Sequence, residues 1–138
     1  KLETKILCFV VYGQNVNAGT TNMSGAVLLS EFLKEKKYST PICFTGSHVQ
    51  ALPIKTLHEE KSIDFVFTNE GVYSLWNILK LKEITLKNLS NINGIALRND
   101  DDYTFASTWE FKGVDNIPTL HKEDLGFETV KPTQRSYK

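Results

Sequence analysis

Two hydrophobic periods alternate along this chain. Ile6-Leu7-Cys8-Phe9-Val10-Val11 is a continuous apolar run closed by Gly13. That is the pattern of a strand covered on both faces, and it predicts a central strand of a parallel sheet. Tyr12 to Asn22 is rich in Gly, Asn, Gln and Thr and reads as a loop. From Met23 the apolar positions Met23, Ala26, Val27, Leu29, Phe32 and Leu33 recur near the helical period, with Glu31 to Lys37 as the solvent face. Pro41 opens a second strand, Ile42-Cys43-Phe44, which runs into a loop from Thr45 to Leu52. Pro53 at a first-turn position and Leu57 predict a short helix up to Glu60. Ile63-Asp64-Phe65-Val66-Phe67 is the third strand and Thr68 to Val72 the third loop. The helix that follows carries Val72, Leu75, Trp76 and Leu79 on one face, which places Trp76 in the core before it makes it a stacking platform.

Strand, loop and helix, repeated at this spacing, argue for right-handed βαβ crossovers and an α/β fold of three layers around a parallel sheet. After Leu81 the texture changes. Ile84 to Leu89 suggests a short helical stretch, and Gly94 to Arg98 and Tyr103 to Ala106 form a hairpin around Asn99-Asp100-Asp101-Asp102. Beyond Trp109, through Ile117-Pro118 and Leu125, no period survives, and an extended tail is expected. The expected division is a partial α/β domain over 1–82 and a hairpin with a connector arm over 83–138.

Composition narrows the classes of function. A chain of 138 residues suits one compact domain. Its 16 basic and 16 acidic residues leave no net charge to attract a polyanion, so nucleic acid and anionic membrane are not expected partners. No apolar run approaches the length of a membrane span. Cys8 and Cys43 both sit inside strand-like runs, where a thiol usually behaves as a small buried hydrophobe. Without a CxxC, a His/Cys cluster or a secretory pattern, a reducing cytoplasm is the natural setting. The apolar strand begins within a few positions of Lys1, and the end from Lys131 to Lys138 is polar, so a piece of a larger protein is expected.

In an open α/β sheet, ligands bind beyond the carboxyl ends of the strands, where loops converge and helix N-termini present free N–H groups. Three loops fall there: Tyr12 to Thr21, Thr45 to Leu52 and Thr68 to Val72. Glycine beside small polar residues in each permits close backbone approach to a bulky ligand; the same glycines also serve simple tight turns. His48 is a ligand or metal contact on one reading and a satisfied loop histidine on the other. Glu70 has no second carboxylate or nucleophile in its loop, which favours a role at a helix N-terminus over acid–base chemistry. His58, among Glu59, Glu60 and Lys61, fits a solvated face, and Asp100-Asp101-Asp102 lacks the glycine and distant glutamate of a calcium hand. No GxxxxGK[ST], GxSxG, HExxH or GxGxxG occurs, so no catalytic residue and no metal ligand is assigned.

Three ordered segments carry a resemblance. Val11-Tyr12-Gly13-Gln14-Asn15, then Thr45-Gly46-Ser47-His48-Val49-Gln50-Ala51-Leu52-Pro53, then Ile63 to Phe67 followed by Thr68-Asn69-Glu70-Gly71, resemble the cobalamin-binding domain of radical S-adenosylmethionine (SAM) proteins. In that family a Gly-Gly-x-His-x-x-Ala-Leu-Pro segment follows the fourth strand and a Gly-Glu-Gly segment the fifth. Here Thr45 and Asn69 stand where the family has the first glycine of each. Asn93 to Arg98 and Ile117-Pro118 are similar to the family's connector toward its catalytic barrel. The resemblance implies a partial flavodoxin-like (Rossmann-like) cobalamin-binding fold, with the corrinoid across the carboxyl edge. The contacts it implies are Tyr12, Gly13, Gln14 and Asn15, then Gly46, Ser47 and His48, then Asn69, Glu70 and Gly71. It implies a [4Fe-4S] cluster and SAM in a radical SAM barrel in cis, of methyltransferase-like activity. The Asp-x-His-x-x-Gly segment that supplies a cobalt-ligating histidine elsewhere is absent, as is Cys-x-x-x-Cys-x-x-Cys. In flavodoxin-like order the first strand has an unpaired flank, from which self-association is expected. A degenerate α/β docking domain without cofactor, and a small-molecule or nucleotide module, are the other readings.

Overall fold

The three apolar runs become neighbouring strands. In the computed structural model, which describes residues 4–99 and 102–105, β1 (Leu7–Val10), β2 (Ile42–Thr45) and β3 (Phe65–Phe67) pair in parallel. Two further strands, β4 (Ile95–Asn99) and β5 (Asp102–Phe105), continue the sheet antiparallel, in the order β1-β2-β3-β4-β5. The sheet is therefore mixed, not parallel throughout. The expected hairpin is present, but it adds its strands to the α/β sheet instead of following it as a separate element. Ile95, Ala96 and Leu97 are apolar at successive positions, so both faces of β4 need cover. The helical layers on both sides of the sheet supply it, and all three are buried. The trailing arm from Trp109 lies outside the described residues.

Period-two alternation sorts the strand residues onto two faces. One face presents Ile42, Phe44, Val66 and Ala96 to α1 (Val16–Glu35), α2 (Ser47–Ala51) and α3 (Pro53–Glu59), which contribute Met23, Val27, Val49 and Leu57. The other presents Cys43, Phe65, Phe67, Ile95 and Leu97 to Ile78 of α4 (Val72–Leu79), Leu89 of α5 (Leu86–Leu89) and Ile92. The result is the expected three layers, helices on both sides of a sheet.

Two helices depart from the sequence reading. The loop expected up to Asn22 is short, because Asn15 caps α1: its side chain accepts from Ala18 N at 2.9 Å. The first two turns of α1 lack an apolar stripe because they pack through small residues. Gly19 is buried, and a Cβ there would collide with the Ser47 hydroxyl. In α4 the inward residues are Ser74 and Ile78, with Leu75 partly buried, so Trp76 lies outside the core, 44% exposed, under the Lys80 ammonium. Val72 and Leu79 are exposed on that same outer side. Ser74 is drawn inward by donating to Asn93 O at 2.7 Å, which rotates the helix from the orientation its apolar stripe predicts.

Polar ties hold the end of the sheet remote from the three loops. Asp64 accepts from Ile42 N at 2.7 Å and from Lys34 Nζ at 2.7 and 3.0 Å, fastening α1 across β2 and β3. Arg98 donates from Nη2 to the carbonyls of Leu57 and Glu60, taking up backbone acceptors at the end of α3. A shallow groove of about 550 Å³ lined by Glu31, Lys34, Glu35, Lys61, Ser62 and Asp64 opens at this end.

Candidate functional site

β1, β2 and β3 run in parallel, so their carboxyl ends share one rim, and the segments that leave them are Val11 to Asn15, Gly46 with α2, and Thr68 to Gly71. Side-chain bonds join the three. Tyr12 Oη donates to Glu70 Oε2 at 3.3 Å, bridging the first and third segments. Gln50 Nε2, on α2, donates to Asn69 O at 2.8 Å and to Tyr12 Oη at 3.3 Å, so one amide touches both of its neighbours. His48 Nδ1 lies 3.1 Å from Thr20 Oγ1, which ties α2 to the first turns of α1. Asn22 Nδ2 donates to Tyr12 O at 3.1 Å. Tyr12, Asn69 and Glu70 are thus brought together with Gln50 and Asn22, while His48, two residues before Gln50 on α2, pairs with Thr20. Only geometry reveals Gln50, Asn22 and Thr20, since each is a common surface residue on a helix.

The remaining expected contacts serve the backbone. Asn15 is the α1 cap already described, and Gln14, beside it, is exposed. Gly46 sits at φ 139° and ψ 173°, and a Cβ there would run into Val11 O. Gly71 sits at φ 79° as the N-cap of α4, its bare face toward the Phe67 ring. A Cβ on Gly13 would lie 2.5 Å from Ala18 Cβ. Gly13 and Gly46 relieve internal crowding where the first segment folds against α1 and β2, and Gly71 does so against β3. The two departures from the family pattern meet no strain. Thr45 is the last residue of β2, and neither it nor Asn69 has positive φ; among the described non-glycine residues only Lys37 does. Asn69 Oδ1 accepts from Gly71 N at 2.8 Å, so the asparagine side chain closes the turn. Glu70 directly precedes the Gly71 cap of α4 and is exposed, accepting from Tyr12.

Under this rim the buried hydroxyl oxygens of Thr45, Ser47 and Thr68 have no hydrogen-bond partner among the described residues. They mark the ends of β2 and β3 and the start of α2. Buried hydroxyls are normally paired, so each is a position that an ordered water or a polar ligand would satisfy. His58 is exposed on α3, as its sequence context predicts. Among the described residues no group of three or more His, Cys, Asp and Glu converges, and no helix is long and apolar enough to cross a membrane.

No family model and no curated protein matches this chain. Its functional reading therefore rests on its residues and their arrangement.

Proposed function

We propose that the rim is a shelf for a corrinoid, and that the chain is the cobalamin-binding part of a radical SAM enzyme. The observation that carries this reading is the set of unpartnered buried hydroxyls of Thr45, Ser47 and Thr68 beneath three mutually bonded strand-end segments. A corrinoid is a wide ring fringed with amide groups that both donate and accept. Hydroxyls suit that fringe because each can take either role. Tyr12, Gln14, His48 and Glu70 would form the outer contacts, and the glycines would keep the shelf low enough for a broad ligand to approach. When bound, the corrinoid supplies the group-carrying centre of the reaction. The chain's own work is to hold and orient it toward a barrel in cis that carries the [4Fe-4S] cluster and SAM. The setting we propose is the cytoplasm.

The test is retention of hydroxocobalamin. Purified chain mixed with hydroxocobalamin and desalted should keep corrinoid absorbance in proportion to protein. Thr45→Val and Ser47→Ala, which remove hydroxyls but few contacts, should weaken retention while leaving the far-ultraviolet circular dichroism unchanged. No retention by the natural chain at high micromolar protein overturns the reading.

A second reading is favoured by one observation: the bare faces of Gly13, Gly19 and Gly46 are turned toward the protein's own atoms. On that reading the domain docks a barrel or a partner without holding a cofactor. The Thr45→Gly/Asn69→Gly double variant separates the two. Corrinoid retention gained only in the variant identifies an eroded cofactor site.

A further inference from the structure

Cys8 and Cys43 are direct partners in the register between β1 and β2. Registered residues of adjacent strands point to the same face, about 4.8 Å apart along the hydrogen-bonding direction. Disulfides accept Cα separations of about 4.4–6.8 Å, so the backbone already stands within bridging reach. The Cβ atoms of such a pair start at about the strand spacing, wider than the usual disulfide separation of about 3.8 Å, so closing the bond pulls two strands together. A bridge formed under that strain is easily reduced again.

The two thiols differ in access. Cys43 is completely buried against Phe65 and Ile78, whereas Cys8 is only partly buried. β1 ends the sheet order, so among the described residues nothing pairs with its outer flank, and Val10, two positions along the same face as Cys8, is 67% exposed. A small reagent can therefore reach Cys8 along the strand, but not Cys43.

We propose that Cys8 and Cys43 are a reversible dithiol–disulfide couple that takes small-molecule disulfides as its oxidant, with Cys8 attacking and Cys43 resolving. A hydrogen bond from the Cys43 thiol lowers the pKa of Cys8 against the opposing effect of burial. The same bond, with burial, holds the proton on Cys43. The asymmetry matches a reactive cysteine beside its resolving partner. The Cys8 thiolate attacks one sulfur of the reagent RSSR, forming a mixed disulfide and expelling RS⁻. Cys43 then attacks the Cys8 sulfur, its proton passes to the second departing RS⁻, and the Cys8–Cys43 bond forms. The pair loses two electrons and two protons, and RSSR is reduced to two RSH.

The full chain incubated with oxidised glutathione under native conditions, quenched and weighed intact, tests this. The expected product is an intramolecular disulfide with no residual glutathione adduct and no free thiol, reversed by reduced glutathione. Cys43→Ser should stop at a glutathione adduct on residue 8, and Cys8→Ser should stay unmodified until denatured. Because Cys8 is partly exposed and Cys43 is fully buried, a limiting alkylating agent should label Cys8 well before Cys43. Wild-type chain that stops at the mixed disulfide, or that reacts only after unfolding, overturns the proposal. A monofunctional arsenoxide supplies a check without mutation, because it bridges only thiols within reach of each other. One arsenic per folded chain with both thiols blocked is expected, and no arsenic bound overturns the proposal.

Discussion

Replacing Gly46 with alanine tests whether this residue of the rim belongs to the fold before it belongs to any ligand. Its φ of 139° and ψ of 173° lie in a region that only glycine occupies freely, and a side chain held there costs about 1–3 kcal/mol. The added Cβ would also strike Val11 O. Relief requires Val11 to move, and Val11 N donates to Thr45 O at 2.8 Å. Losing that bond adds about 1 kcal/mol, for a total of about 2–4 kcal/mol. In urea, with a slope near 2 kcal/mol/M for a domain of this size, the unfolding midpoint should fall by about 1–2 M. Gly25→Ala is the control. Gly25 lies inside α1 with nothing within 4 Å of an added Cβ, so alanine should stabilise by about 1 kcal/mol through helix propensity and a less free unfolded chain. A Gly46→Ala midpoint within error of wild type, with Gly25→Ala behaving as expected, would refute the assignment of Gly46 to a strained turn. If it holds, loss of ligand in a Gly46 variant reports on the fold and not on contact with that ligand.

Glu60 should give stability a pH slope. Its pKa is raised, first by burial and then by the Glu31 and Glu59 carboxylates, with His48 opposing. The folded state therefore binds the Glu60 proton more tightly than the unfolded state does. Its contribution is complete below the ordinary glutamate value of about 4.3 and is lost as pH rises through the raised value. Urea midpoints measured across that window should decline with pH in wild type and lose part of the decline in Glu60→Gln; equal slopes would dismiss the carboxyl as their source. We also expect the open flank of β1 to drive self-association, since its outer backbone groups have no partner among the described residues and Val10 is exposed beside them. Light scattering at rising concentration should show mass above the monomer, and Val10→Lys should suppress it. A wild-type chain that stays monomeric at high concentration would count against the edge as an interface.

What could be read without coordinates was what local physics sets. Unbroken apolar runs at Leu7, Ile42 and Phe65 demand cover on both faces, and parallel strands with intervening helices supply it. That order alone gathers the segments at Tyr12, Gly46 and Asn69 on one rim, so the candidate site was legible as a location. Its wiring was not. Gln50 reaching Asn69, Thr20 meeting His48 and the orphaned hydroxyls of Thr45, Ser47 and Thr68 depend on how helices sit against loops, which no period encodes.

Tertiary packing also decided where the local signal was silent or pointed elsewhere. The start of α1 carries glycine and threonine because it packs closely on Ser47, so helical structure exists there without an apolar stripe. Residues of α4 turned according to the Ser74 bond, leaving Trp76 outside. Two cysteines that looked like separate core hydrophobes became neighbours only once β1 and β2 adopted their register. Sequence by itself determined which segments must be buried and along which edge polar loops collect, because burial follows from composition over a few residues. Only the assembled sheet determined which side chains meet, because register and helix rotation are settled by contacts between segments far apart in the chain.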